Sequence, residues 1–267
     1  MKVLKRYTRL YRVFVSQFFK TIVQSKANFF IGLAGFFLTQ ITGILFLYLV
    51  FEQIPTLADW NLDQLIFIYG FAQIPRGIDH LLTDNLWMLA WNLVVNGKFD
   101  RYMLRPMNLY MQVIFEKLQP DALGELLVGS ILVTISLQKG VVGISGLNVL
   151  LFVVSVLAGS VIYTAIKLLF ASFAFWIKVS GPVLYTAYQF ADFAKYPTGI
   201  YVKGVRFLIT WIIPFAFVAY LPASYFLVPG VNAFSTIGVE CILAVAFFAI
   251  AYAVFTVGTR AYESAGN

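Results

Sequence analysis

Six apolar stretches, each about as long as a bilayer is thick, run through the chain at about 29–51, 64–83, 112–137, 147–170, 207–227 and 233–257. A bilayer's hydrocarbon core takes about 20 apolar residues per helix. A helix also satisfies its own backbone in lipid, where water does not help. The segments in between leave no room for a separate soluble domain. The expected fold is therefore all-α: a polytopic membrane protein with six transmembrane helices in one membrane domain, 1–267. Only 12% of the residues are charged, against about 25% in an ordinary soluble domain, so the stretches do not read as the cores of a soluble bundle.

The net charge of +7 raises the question of nucleic acid, but the basic residues form no single patch. Their distribution between the stretches sets orientation instead. Residues 1–28 carry Lys2, Lys5, Arg6, Arg9, Arg12, Lys20 and Lys26 with no acid, whereas 52–63 carries Glu52, Asp59 and Asp63 with no base. Lys98, Arg101 and Arg105 follow the second stretch, and Lys178, Lys195, Lys203 and Arg206 face Asp192 alone in 178–206. Basic residues stay on the cytoplasmic side. Both termini and the segments 84–107 and 178–206 are accordingly expected in the cytoplasm, and 52–63 outside.

Ahead of the first stretch, Val3, Tyr7, Leu10, Phe14, Phe18 and Ile22 recur at helical spacing, with Lys5, Arg9, Arg12, Ser16 and Lys20 opposite. This predicts a cytoplasmic amphipathic helix within 1–28, lying in the interface with its cations at anionic lipid headgroups. A basic start before an apolar run also resembles a signal peptide. The basic region is too long for one, and no small-residue cleavage site follows Phe51, so the first stretch reads as a retained span.

Cys241 is the only cysteine and His80 the only histidine. A disulfide and a cysteine-based metal site are excluded within the chain. A zinc site or a catalytic pair would have to use His80. With Arg76, Asp79 and Asp84 around it, His80 reads more simply as part of a polar helix end.

The segment Leu86–Met107 has helical spacing at Leu86, Leu89 and Leu93, a break at Asn96-Gly97, and then Lys98, Asp100, Arg101 and Arg105 before Pro106. Glycine takes the left-handed cap cheaply, and proline disfavours helix at the residue before it and can open the next one. Composition leaves two readings open, a charged interfacial loop or a docking element for a cytoplasmic subunit. The string Gly97-Lys98-Phe99-Asp100-Arg101-Tyr102-Met103-Leu104-Arg105-Pro106 resembles the G-x-hydrophobic-D-x-x-L-L-R-P loop of a bacterial family of ATP-binding-cassette (ABC) type-2 permeases. Lys195-Tyr196-Pro197 with Ile200-Tyr201, and Ile213–Phe217 with Leu221-Pro222-Ala223, fit the same family in order. The resemblance implies the type-2 ABC exporter permease fold in the bacterial cytoplasmic membrane. It implies two ATP-hydrolysing subunits, which hold the ATP and Mg²⁺, and a second permease, identical or related. It also implies ATPase coupling through Gly97, Asp100, Arg101, Leu104, Arg105 and Pro106.

Independently, the chain carries no phosphate-cradling G-x-x-x-x-G-K-[ST] loop. After its only Gly-Lys pair, Gly97-Lys98, comes Phe99 rather than Ser or Thr. An ATP-driven pump would take its ATPase from another chain, and this chain is expected to bind no cofactor, to catalyse nothing and to bind no nucleic acid.

Ionisable groups at membrane depth are costly and mark polar contacts or pathways. The third stretch includes Lys117, Asp121 and Glu125 at i, i+4, i+8, and the fourth carries Lys167 at similar depth. A Lys167 pair with Asp121 or Glu125 is the expected buried contact, while Glu116 and Lys117 snorkel. Glu240 stands alone in the last stretch, facing a cavity or the outer interface. The tract 221–232 is a candidate re-entrant segment. Two other classes compete with the permease: a membrane-embedded lipid-modifying enzyme using Asp121, Glu125 and Lys167, and a structural or channel protein without energy input. The substrate class left open is lipidic, amphipathic or peptidic.

Overall fold

The computed structural model describes residues 26–264. The expected amphipathic helix therefore lies outside the described residues, apart from its last three positions. Among the described residues the chain is helical and has no strands.

Helix α1 (Lys26–Gln53) has an almost wholly apolar surface and leaves most of it uncovered, with Ile31 70% and Leu38 66% exposed. A turn follows in which Leu57 and Trp60 pair through both backbone bonds. Helix α2 (Leu62–Thr83) starts at a capping box: the Asn61 side chain accepts from the Gln64 backbone N–H, and the Gln64 side chain accepts from that of Asn61. Every residue from Leu65 to Gln73 is buried. A helix covered all round belongs at the centre of a bundle, and α2 packs against α6 (Leu123–Gln138) and α7 (Gly146–Ser172). α12 (Val239–Ala261) packs on α7. α1 is tied to α2 at Gln40, whose Oε1 accepts from the Tyr69 hydroxyl at 2.5 Å and from Gln73 Nε2 at 2.9 Å.

The α2–α6 crossing is set by small residues. A Cβ on Gly129 would lie 2.9 Å from the Gly70 carbonyl oxygen, and one on Gly70 would lie 2.6 Å from Leu132 Cβ. Close approach of backbones through glycine is how helices gain packing contact where no hydrophobic effect drives them together. Gly129→Ala is therefore expected to cost about 1–3 kcal/mol by overpacking. Gly143→Ala, at a position with open space, should leave thermal melting in detergent unchanged.

Helices Phe29–Gln53, Pro120–Gln138, Gly146–Ile177 and Phe234–Ala261 are long and apolar enough to cross a membrane, and the pair Lys203–Ile212 and Phe215–Leu227 would make a fifth if it were one span bent by 69°. The second stretch forms the helix α2, which is not among those four. The third stretch, 112–137, is not one helix. α5 (Leu109–Phe115) ends, Lys117–Gln119 are non-helical, and a 3₁₀ turn at Pro120–Ala122 leads into α6. Pro120 disfavours helix at Gln119, which is extended (φ −104°, ψ 106°). The supposed stripe of Lys117, Asp121 and Glu125 on one helix therefore does not form. α5 itself begins at Asn108, whose side chain accepts from the Met111 N–H, and not at Pro106.

The largest correction concerns 178–206, expected as a cytoplasmic loop. After α8 (Ala174–Ile177), the Ser180 N–H donates to the Ala90 carbonyl, and Gly181 packs under the Trp91 ring. Helix α9 (Gly181–Gln189) and the 3₁₀ turn Phe190–Lys195 then run antiparallel to α2. Tyr188 meets Asp79, Asp192 meets Arg76, and Lys195 sits over the Tyr69 ring. A Cβ on Gly199 would lie 3.6 Å from Ala58, in the α1–α2 turn. The segment thus climbs the length of the bundle, and Lys203 and Arg206 lie at the end opposite the 84–107 loop. Helix α10 (Lys203–Phe207) with its π-helical turn Leu208–Ile212, and α11 (Tyr220–Leu227), are the two arms of a bent hairpin. Tyr220 contacts Trp60, and Tyr225 reaches Asn148 at the start of α7, so α11 returns to the Gly199 end. The bend falls at Ile213-Pro214, where proline supplies no N–H to continue the helix.

Candidate functional site

A buried ion network joins α2, α7, α9 and the start of α6 at the end that carries the 84–107 loop. Arg76, Asp79, His80 and Asp84 fall at i, i+3, i+4 and i+8, so α2 presents them on one side. Lys167, 1% exposed on α7, lies 2.8 Å from Asp79 Oδ2 and 3.5 Å from Asp84 Oδ1. Asp79 also accepts from the hydroxyls of Thr83 at 2.6 Å, Thr164 at 2.9 Å and Tyr188 at 2.5 Å. A carboxylate held by one ammonium and three hydroxyls has its lone pairs satisfied, which a buried ion pair needs in order to offset its desolvation. Next to it, Glu125 lies 3.5 Å from His80 Nδ1 and 3.6 Å from Arg76 Nε, and Arg76 donates to Asp192 at 2.9 Å. Gln119 Nε2 donates to Asp84 Oδ2, tying the 116–119 break to the end of α2.

Lys167 therefore pairs with Asp79 and Asp84, not with Asp121 or Glu125 as expected. The break before Pro120 reorients the start of α6. Asp121 is half-exposed, 4.0 Å from His80 Nε2, and Glu125 faces α2 instead of α7. The Arg76–Asp84 group lies at the polar end of α2, and Asp79 within it is 1% exposed. Glu240 is separate. It is fully buried between α12 and α7, where its Oε2 accepts from Ser155 Oγ.

The network borders a cavity of about 220 Å³ lined by Arg76, His80, Glu125, Lys167, Trp87 and Tyr188, among others. Glu125 Oε2 is buried without a hydrogen-bond partner among the described residues. Charges of both signs beside aromatic faces suit a small polar or zwitterionic group better than an apolar tail. Among the described residues no group of three His, Cys, Asp or Glu side chains is placed to hold a metal ion.

Directly beyond this network lies the 84–107 loop. α3 (Asn85–Met88) widens into a π-helical turn at Leu89–Leu93, and Gly97 reverses the chain at φ +63°. Phe99 and Tyr102 anchor the short α4 (Asp100–Met103), at 0% and 1% exposure. Phe99 stacks edge-on against Phe175 of α8 and against Tyr262 beyond α12. Gln112 Nε2 donates to the carbonyls of Tyr102 and Met107. Of the expected coupling residues, Asp100 accepts from Tyr262 OH at 2.8 Å and from Ser264 Oγ at 2.6 Å, fastening the chain's end to the loop. Burial and the Asp100 carboxylate together push the Tyr262 hydroxyl up to about 12. Arg101 pairs with Glu116. Leu104 (85% exposed), Arg105 and Pro106 project outward with Met103.

Residues 37–266 match the family model described as ABC-2 family transporter protein. The chain belongs to the ABC-2 transporter family. No curated protein and no solved structure matches it. As an ABC-2 member it is a multi-pass membrane component of a transporter, and membership implies partnership with an ABC ATPase.

The ion network and the 84–107 loop are not equally readable from the sequence. The loop's charged string identifies itself. The Lys167–Asp79 pair does not, although the spacing of Arg76, Asp79, His80 and Asp84 within an otherwise apolar stretch is a signal that would have found its α2 half.

Proposed function

We propose that the chain is the permease subunit of an ATP-driven exporter in a bacterial cytoplasmic membrane, paired with a second permease and served by two ABC ATPase subunits. The observation that carries this reading is the Met103–Pro106 surface, exposed yet held from beneath by Phe99 and Tyr102. A surface that is apolar and basic, and also rigid, suits docking of a soluble partner.

On this reading the six crossings are α1, α2, α6, α7, the segment 181–200 and α12, and residues 203–227 form a re-entrant hairpin on the outer side. Irregular backbone is tolerated there because protein covers much of it: Phe215 through Ala219 are all buried. The termini and the 84–107 loop face the cytoplasm, as the basic residues of 1–28 and 98–105 require.

Coupling follows from the contacts. ATP-driven closure of the ATPases moves the loop. Phe99 passes that motion to Phe175, next to α7, and Asp84 passes it to Lys167 and Gln119. The network has more than one acceptor for Lys167, Arg76 and His80, so their pairing can shift as access alternates between the two sides. The chain contributes no catalytic residue; ATP and Mg²⁺ sit in the partner, and the cargo is amphipathic, lipidic or peptidic.

Tagged chain purified from its native membranes in mild detergent should carry an ABC ATPase at about one copy per permease. Recovery at native expression with no ABC ATPase bound would contradict the reading.

A further inference from the structure

The two arms of the hairpin and the first turn of α12 enclose a second cleft, about 500 Å³, at the Gly199 end of the bundle. It borders none of the ion network. Its walls are amphipathic in an ordered way. Lys203 and Arg206, one turn apart on α10, are its only charged lining residues, and both are exposed. Neither has a carboxylate within ion-pairing distance among the described residues. Beside them, Trp211, 57% exposed, meets the buried Phe217 edge-on at 6.1 Å across the bend, and Leu221 completes an apolar wall.

Two unpaired cations beside an aromatic wall recognise one chemistry, an anionic head with an apolar chain. Phosphate and carboxylate are the heads that such donors bind, and membrane-surface cations gain from anionic lipid. The volume matches that of a ligand site. We infer that this cleft binds an anionic phospholipid of the surrounding bilayer, with its phosphate at Lys203 and Arg206 and the start of a chain against Trp211, Phe217 and Leu221. The inference is independent of the transport reading, because it needs only the hairpin and a lipid.

Trp211 is the reporter. The chain has five tryptophans, so the difference between wild type and Trp211→Phe isolates its fluorescence. The protein is placed in phosphatidylcholine nanodiscs containing a fixed fraction of either brominated phosphatidylglycerol or brominated phosphatidylcholine. Quenching of Trp211 should favour the anionic lipid on the order of tenfold in effective affinity, from two cations at a lipid surface. Lys203→Gln with Arg206→Gln should abolish the preference, and both positions are exposed and unpaired, so the fold should persist. Millimolar inorganic phosphate should not displace the lipid. Equal quenching by the two lipids in wild type, or a preference that survives the double substitution, would overturn the proposal. Relief of quenching by phosphate would make this a free-anion site and overturn the lipid assignment.

Discussion

Lys167→Met should destabilise the protein by about 3–5 kcal/mol, because it strands a buried carboxylate. Asp79 keeps its three hydroxyl donors but loses its only ammonium partner, 2.8 Å away. Asp79→Leu should cost a similar amount by stranding Lys167, whose remaining carboxylate, Asp84, lies at 3.5 Å. The double variant should recover much of the loss, since neither charge is then left alone. Thermal melting of the four proteins in one detergent gives the cycle. Additive losses, or single variants that melt like wild type, would show that the pair is not coupled. The same cycle with Glu125→Gln and Lys167→Met should show a smaller coupling than the Asp79 cycle, because those two residues meet only through His80 and Asp84.

Reversing the character of the loop surface, with Leu104→Asp and Arg105→Glu together, should release the ATPase. Truncating or opposing one side of a desolvated charged contact costs about 2–5 kcal/mol, roughly 30-fold to several thousand-fold in affinity. Leu104 is 85% exposed, so the melting temperature of the isolated chain should not move. Arg101→Ala is expected to act differently: it breaks the pair with Glu116 and should loosen the loop without removing the docking surface. An ATPase retained at wild-type stoichiometry by the double variant would remove Leu104 and Arg105 from the interface.

The all-helical membrane class was legible because bilayer thickness acts on every span alike, and the apolar runs at α1, α7 and α12 report it directly. Residues 97–106 were legible as a family string, and Gly97 as a turn. The course of 178–206 was not. Its Lys178, Lys195, Lys203 and Arg206 read together as one basic loop, yet Lys195 is spent inside the bundle on Asp192 and the Tyr69 ring, at 2.9 Å and 5.3 Å. Charge counting treats a compensated cation like a solvated one. The Lys167 pairing failed for a related reason. Matching depth along two helices says nothing about rotation, and the Pro120 break turned Glu125 toward Arg76 and His80. Glu240 gave no partner in the sequence because its partner, Ser155, is uncharged and 85 residues away.

Cross-linking from single cysteines in a Cys241→Ser background tests the docking surface and the topology together. Leu104→Cys lies on the loop, and Ile144→Cys, at a site 74% exposed, lies between α6 and α7 at the opposite end. In membranes carrying the assembled complex, a short thiol-to-amine reagent should join position 104 to the ABC ATPase and leave position 144 unjoined. An ATPase adduct at position 144 with none at position 104 would contradict both the docking surface and the orientation of the bundle.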